Sequence, residues 1–471
     1  MSAIQTQQGH QDGWFAELEA ELKAHLTLVD GNSASTEQAA RNKTREQLRT
    51  APIHSAKVRA AFGKNRAMQE NEFIEADIDA FPQYGLIGKR LATYGYGSEN
   101  IQTGEAEDDL IYTNTNAPWS AFICGSQGSA KSHTLSCMLE NALLAPSQTG
   151  KLAAPLTGLV LHYDRFSGFE AGQPCEAAYV CSSGIPVRVL VSPSNYQHMK
   201  SLYENLEGLS DGSPKPVVSK LKFAEKHLNI TMMKALMAVD GEGQEPLYME
   251  VVTQILREMA QEYESSRINY HEFKCKLDRQ ILAPNQRSPL ALRMSLLESF
   301  LEVEEQRPKR RGQSAIKGNA EVDKMWSFEK GSLTIVDLSC PFVGANDACA
   351  LFNICLSNFL AARGEGNRLV ALDEAHKFLT TTGREAIELT ENLLTIIRQQ
   401  RHLGTRVIIA TQEPTLSPKL LDLCDVTVVH RFSSPEWYKT LEGHLAGAVV
   451  GATEEERSRF SRNSIFQDCL A

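Results

Sequence analysis

Residues 125–132 read Gly-Ser-Gln-Gly-Ser-Ala-Lys-Ser, the spacing of a phosphate-binding loop, G-x-x-x-x-G-K-[ST], with Ala130 in place of the second glycine. In such a loop the backbone N–H groups of Gly125, Ser126, Gln127, Gly128, Ser129 and Ala130 and the helix N-terminus through His133 face phosphate oxygens. Lys131 reaches the β and γ oxygens, and the Ser132 hydroxyl ligates Mg²⁺. A methyl at Ala130 is a small intrusion, provided the backbone there does not need positive φ.

A second set of chemical groups lies far downstream in "RLVALDEAHKFL", an apolar run ending in Asp373-Glu374. Adjacent carboxylates divide the work of hydrolysis: Asp373 holds the Mg²⁺ shell while Glu374 orients and deprotonates a water. The apolar run "RVIIATQEP" then delivers Thr411 and Gln412, so that Gln412 is placed to sense a γ-phosphate. Between them, "LLTIIRQQRHLG" reads as a helix whose Leu393, Leu394, Ile396 and Ile397 face inward. Arg398 and Arg401 share its outer face near the C-terminus, and Gly404 caps it.

These residues need strands that end beside them. The segments "WSAFIC", "TGLVLHYD", "PVRVLVS", "SLTIVDLS", "RLVALDE", "RVIIATQ" and "VTVVHRF" are short, β-branched and apolar on both faces, as parallel strands buried on both sides are. They alternate with helical patterns, among them "PLYMEVVTQILREMAQEY", "ANDACALFNICLSNFLAAR" and "SPLALRMSLLESFLEVEEQ", the last with Ser288 as N-cap and Pro289 at the first position. That alternation predicts an α/β domain over 81–471 with a mostly parallel sheet flanked by helices. Residues 206–330 read as a helical insertion, and the polar residues 1–80 as a helical, partly mobile N-terminal extension.

The chain has 471 residues, 42% of them hydrophobic, and a net charge of −10. That balance argues against a surface coated with nucleic-acid-binding charge. The ten cysteines sit mostly in apolar segments without a C-x-x-C pair, as reduced core residues do. No apolar run reaches the roughly 18–20 residues that cross a bilayer. The expectation is an intracellular protein, cytoplasmic or nuclear, with no membrane partner.

Taken together, Gly125–Ser132, "VALDEAHKF", "RQQRHLGTRVIIATQEP" and "LLDLCDVTVVHRF" resemble the HerA/FtsK superfamily of RecA-like P-loop ATPases, nearest its HerA-like members. The family's order of helix, R-x-x-R-x-x-G, strand, A-T-Q, leucine-rich helix and strand ending near an arginine is followed across residues 392–432. "TGLVLHYD", with Asp164, matches the family's second strand. The resemblance implies ATP and Mg²⁺ as cofactors, Lys131, Ser132, Asp373, Glu374 and Gln412 in the roles above, and Arg401 as a finger reaching a neighbouring subunit's nucleotide. It also implies a homo-oligomeric ring, such as a hexamer, with DNA as substrate. The β-barrel that HerA proteins use for assembly has no counterpart in the polar residues 1–75. With the acidic net charge, this keeps a second reading open: an ATP-gated switch or scaffold that changes partners without translocating nucleic acid. The "PKRR" run, Pro308–Arg311, reads as a solvated loop, a phosphate contact or a nuclear import signal.

Overall fold

The structure is a computed structural model that describes residues 47–62, 80–91, 109–145, 148–165, 173–210, 212–237, 246–262, 268–302, 322–362 and 367–444. Most of the expected N-terminal extension and the "PKRR" run lie outside the described residues. Residues 52–57 and 83–471 form one unit, and residues 1–51 and 58–82 another. In the latter, residues 47–49 are helical.

Twelve strands occur among the described residues. The first six are β1 (Ile53–Ser55), β2 (Tyr84–Lys89), β3 (Leu110–Asn114), β4 (Ser120–Cys124), β5 (Gly150–Lys151) and β6 (Thr157–His162). The others are β7 (Val187–Val191), β8 (Val217–Lys220), β9 (Leu333–Asp337), β10 (Arg368–Asp373), β11 (Thr405–Thr411) and β12 (Val426–Val429). Eight form one sheet in the order β12-β4-β11-β10-β6-β9-β7-β8. Every pairing in it is parallel. The fold is thus of the P-loop α/β class, and all seven expected strand segments join its sheet.

Alternate residues along the strands divide between two cores, as the period of two requires. On one face Phe122, Leu159, Leu161, Val370, Leu372, Val407 and Ile409 pack together with most of the helices. These include α3 (Ile230–Met237), α4 (Leu247–Glu262), α5 (Tyr270–Asp278), α6 (Pro284–Phe300), α7 (Ala345–Ala361) and α8 (Arg384–Arg398). On the other face Ala121, Ile123, Val160, Leu369, Ala371, Ile408 and Ala410 meet α1 (Lys131–Leu143), α2 (Tyr196–Glu204) and the 3-10 helix Glu176–Ser183. With both faces covered, the inner strands β4, β6, β9, β10 and β11 are almost wholly buried, whereas β12 and β8 at the two edges of the sheet are partly exposed.

Several expectations are corrected. The stretch 206–330 is more than a helical insertion, because β8 within it pairs in parallel with β7 and extends the main sheet. Ile53–Ser55, expected in a helical extension, is a strand of a small antiparallel sheet ordered β1-β3-β2-β5. Ser288 is not an N-cap: α6 starts a turn and a half earlier, with Ala283 as N-cap and Pro284 at the first position. Pro284 meets the preference for proline at a helix start, which leaves Pro289 inside the helix. The helix after the acidic strand ends at Arg398, and a separate turn, Gln400–Leu403, runs to Gly404, whose φ of 59° makes the expected left-handed cap. Leu393, Leu394, Ile396 and Ile397 are buried as expected.

Candidate active site

The phosphate loop leaves the end of β4 and enters α1. Gly125 is required by close approach: a Cβ there would lie 2.5 Å from the His430 Cβ and 2.8 Å from the Ser129 Oγ. The segment that follows β12 fastens the loop, since Ser126 donates to the Arg431 carbonyl from both its N–H (3.0 Å) and its hydroxyl (2.8 Å). His430 N–H donates to the Cys124 carbonyl, and the His430 Nε2 pairs with the Thr134 hydroxyl at 3.1 Å.

Ala130 does not meet the condition under which its methyl would be harmless. It sits at φ 68°, ψ 24°, in the left-handed region, as Gly128 does at φ 70°. An L residue is strained there by roughly 1–2 kcal/mol. The next residue, Lys131, is buried, and its ammonium donates to the Ser126 carbonyl at 3.0 Å. Burial lowers its pKa, while the carboxylates of Glu374 and Asp373 work in the opposite sense.

Strand order brings the acidic pair to this loop. β11 lies between β4 and β10, so Gln412 emerges beside both the loop and the acids. Glu374 also has a left-handed backbone, φ 52°, which turns its side chain off the end of β10. Its Oε2 accepts from the Gln412 Nε2 at 3.0 Å and lies 3.4 Å from the His376 Nδ1. The residues Gln127 to His133, with Asp373, Glu374 and Gln412, line one cavity of about 440 Å³. A second cavity of about 520 Å³ is lined by the 3-10 helix and α1 and shares His133, Gln173, Pro174 and Glu176 with the first. Gly125 and Ser126 shape the loop from behind and do not line the cavity.

Arg401 is the expected catalytic residue that the structure does not bring to the cavity. It precedes β11 whereas Gln412 follows it, and the seven residues of that strand span about 23 Å at ~3.3 Å each. Arg401 is exposed at the opposite edge of the sheet, so it cannot act on this chain's own cavity. Asp164 lies two residues past the end of β6, where its carboxylate pairs with the Lys377 ammonium at 3.0 Å.

The cavity floor holds groups that the sequence reading missed. His162, the last residue of β6, is in register with Asp373 on one neighbouring strand and Asp337 on the other. Its Nδ1 lies 3.2 Å from the Asp373 Oδ2, and the Cys175 thiol donates to that same oxygen at 3.5 Å. Asp337 in turn accepts from the Tyr203 hydroxyl at 2.6 Å, and that hydroxyl accepts from the Cys175 N–H at 2.9 Å. Burial opposes charge on His162, but Cys175, Asp337 and Asp373 around it raise its pKa well above the ordinary value. Burial would raise the Asp373 pKa, yet hydrogen bonds from His162, from Cys175 and from the Glu374 N–H hold it below the usual range. The signal that could have found these groups was a histidine and an aspartate ending two otherwise apolar strands, "TGLVLH" and "LTIVD".

No family model and no curated protein matches the chain. Among solved structures it is similar to the structure of VirB4 of Thermoanaerobacter pseudethanolicus, at 11% identity and a TM-score of 0.43. The match covers 80% of this chain and 92% of that one.

Proposed function

We propose that this chain is a P-loop ATPase that hydrolyses ATP with Mg²⁺. The observation that carries this reading is the convergence of a strained Lys-Ser phosphate loop, Asp373, Glu374 and Gln412 on one cavity at the carboxyl ends of three adjacent parallel strands. That is the edge at which open α/β sheets bind ligands. The donor set fits the metal: the hydroxyl of Ser132 and the carboxylate of Asp373, both hard oxygen ligands, line the same cavity and would hold Mg²⁺. When bound, Mg²⁺ neutralises charge on the phosphate oxygens.

The chain's own groups supply the rest. Lys131 pairs with phosphate oxygens in place of the Ser126 carbonyl, and the N–H groups of the loop, through His133 at the start of α1, donate to the others. Glu374 accepts the proton of the attacking water. Gln412, hydrogen-bonded to Glu374, positions that carboxylate and reports on what occupies the γ-phosphate position. Arg401, on the far edge of the sheet, serves a neighbouring subunit's cavity. This agrees with the HerA/FtsK type and with a ring-shaped motor acting on DNA. The net charge of −10 favours the other reading, a nucleotide-gated switch.

The test separates binding from chemistry. Lys131→Ala should abolish ATP binding, whereas Glu374→Gln should bind ATP and turn over at least ~100-fold more slowly, as for loss of a general base. Normal hydrolysis by Glu374→Gln would remove the base from this scheme.

A further inference from the structure

Mg²⁺ chemistry leaves the cavity floor unexplained. An oxygen-seeking cation has no use for an imidazole and a thiol, yet both lie against the carboxylate assigned to it. Among the described residues, His162, Cys175 and Asp373 form a buried group whose ligand atoms all lie within 4.8 Å of one another. Tetrahedral Zn²⁺ with bonds of about 2.0–2.1 Å to N and O and 2.3 Å to S requires edges of about 3.3 Å for N···O and about 3.5 Å for S···O. The observed separations are 3.2 Å from the His162 Nδ1 and 3.5 Å from the Cys175 Sγ to the Asp373 Oδ2.

A second observation points to a ligand. The Nδ1 of His162, a residue only 4% exposed, faces the Asp373 carboxylate, and its Nε2 has no hydrogen-bond partner. An enclosed imidazole nitrogen left without a partner is costly unless something else engages it. The surroundings are also those of a metal site. The Tyr203 hydroxyl, itself anchored on Asp337, fixes the Cys175 backbone, which is how outer residues orient ligands. His162 and Asp373 both line the cavity, so a fourth coordination position faces it. Three protein ligands with one open position is the arrangement of accessible zinc sites.

We propose that His162, Cys175 and Asp373 bind a borderline-soft divalent transition metal, with Zn²⁺ the best match, and that the bound ion withdraws Asp373 from hydrolysis. The second half rests on the ATPase reading. Binding converts the Cys175 thiol to a metal thiolate and takes His162 as the neutral imidazole, so the thiol proton and the imidazolium proton both leave to solvent, with no change in oxidation state. Donor softness separates the two cations: Mg²⁺ does not compete for the thiolate and imidazole, whereas Zn²⁺ does compete for the Asp373 carboxylate.

The experiment uses the full chain after chelator treatment. Titration with Zn²⁺ against a chromophoric chelator, in millimolar Mg²⁺, should give one tight equivalent per chain. Co²⁺ in place of Zn²⁺ should produce the near-ultraviolet thiolate-to-metal charge-transfer band, a readout that needs neither activity nor a variant. Cys175→Ser should abolish that band and weaken Zn²⁺ binding more than ~100-fold, beyond the 10–100-fold of outer-shell losses. Absence of the cobalt band in the wild type, or its persistence in Cys175→Ser, overturns the proposal. In an active preparation one equivalent of Zn²⁺ should suppress the Mg²⁺-ATPase, and Cys175→Ser should lose that sensitivity. An unchanged rate with Zn²⁺ bound overturns the regulatory half. A cobalt band in a chain that never hydrolyses ATP leaves the metal site standing and removes the ATPase reading instead.

Discussion

Replacing Ala130 by glycine should stabilise the chain by ~0.5–1 kcal/mol, from the difference between left-handed strain and glycine's extra backbone freedom. The backbone of Ala130 lies at φ 68°, ψ 24°, a conformation that costs an L residue roughly 1–2 kcal/mol and glycine nothing. Against that relief stands the additional freedom of glycine in the unfolded chain, about 0.5–1 kcal/mol. The methyl is exposed, so its removal gives up almost no buried surface. Equilibrium denaturation of the two proteins measures the difference directly. Ala130→Val is the opposing arm, because a β-branched residue at positive φ is worse than alanine, and it should melt below the wild type. Nucleotide affinity should change by less than about tenfold, ~1.4 kcal/mol, since a loop that keeps its shape carries the same strain with and without ligand. A glycine variant no more stable than the wild type, or a valine variant equal to it, would refute the left-handed conformation.

Gly125→Ala should lower stability by ~1–3 kcal/mol, the cost of overpacking, because its Cβ would lie 2.5 Å from that of His430; an unchanged melting temperature would contradict this. Arg401→Ala should slow turnover by ~10³-fold or more in the assembled protein, and mixing it with Glu374→Gln subunits should restore part of the rate at interfaces that pair an intact finger with an intact base. Mixed oligomers without recovery would end the role of Arg401 in trans. If the chain is a DNA motor, single- or double-stranded DNA should raise the ATPase rate, and the stimulation should fade with salt as backbone binding releases counterions. Flat rates at low salt from an active oligomer would leave the switch.

Much of the site is legible without coordinates because its parts are local. The spacing from Gly125 to Ser132 and the adjacency of Asp373 and Glu374 are covalent facts. Strands buried on both faces are apolar nearly throughout, so the segments of the main sheet's interior could be marked, and with them the strand ends that carry Glu374 and Gln412. Sequence also placed Gly404 at a left-handed cap, because a helix that must stop there favours glycine. It could not show the φ of Ala130, since the same residue is unstrained wherever the loop does not turn back on itself. The strand β8 was missed because "VVSK" is short and half exposed, and at the edge of a sheet only one flank has to pair. The floor of the cavity depended wholly on tertiary structure. His162, Asp337 and Asp373 lie up to 211 positions apart, and nothing in their local patterns says that β6 runs between β9 and β10. Strand order is decided by which helices cover which faces, a non-local balance of burial, and only that order seats one imidazole between two carboxylates with a thiol above them.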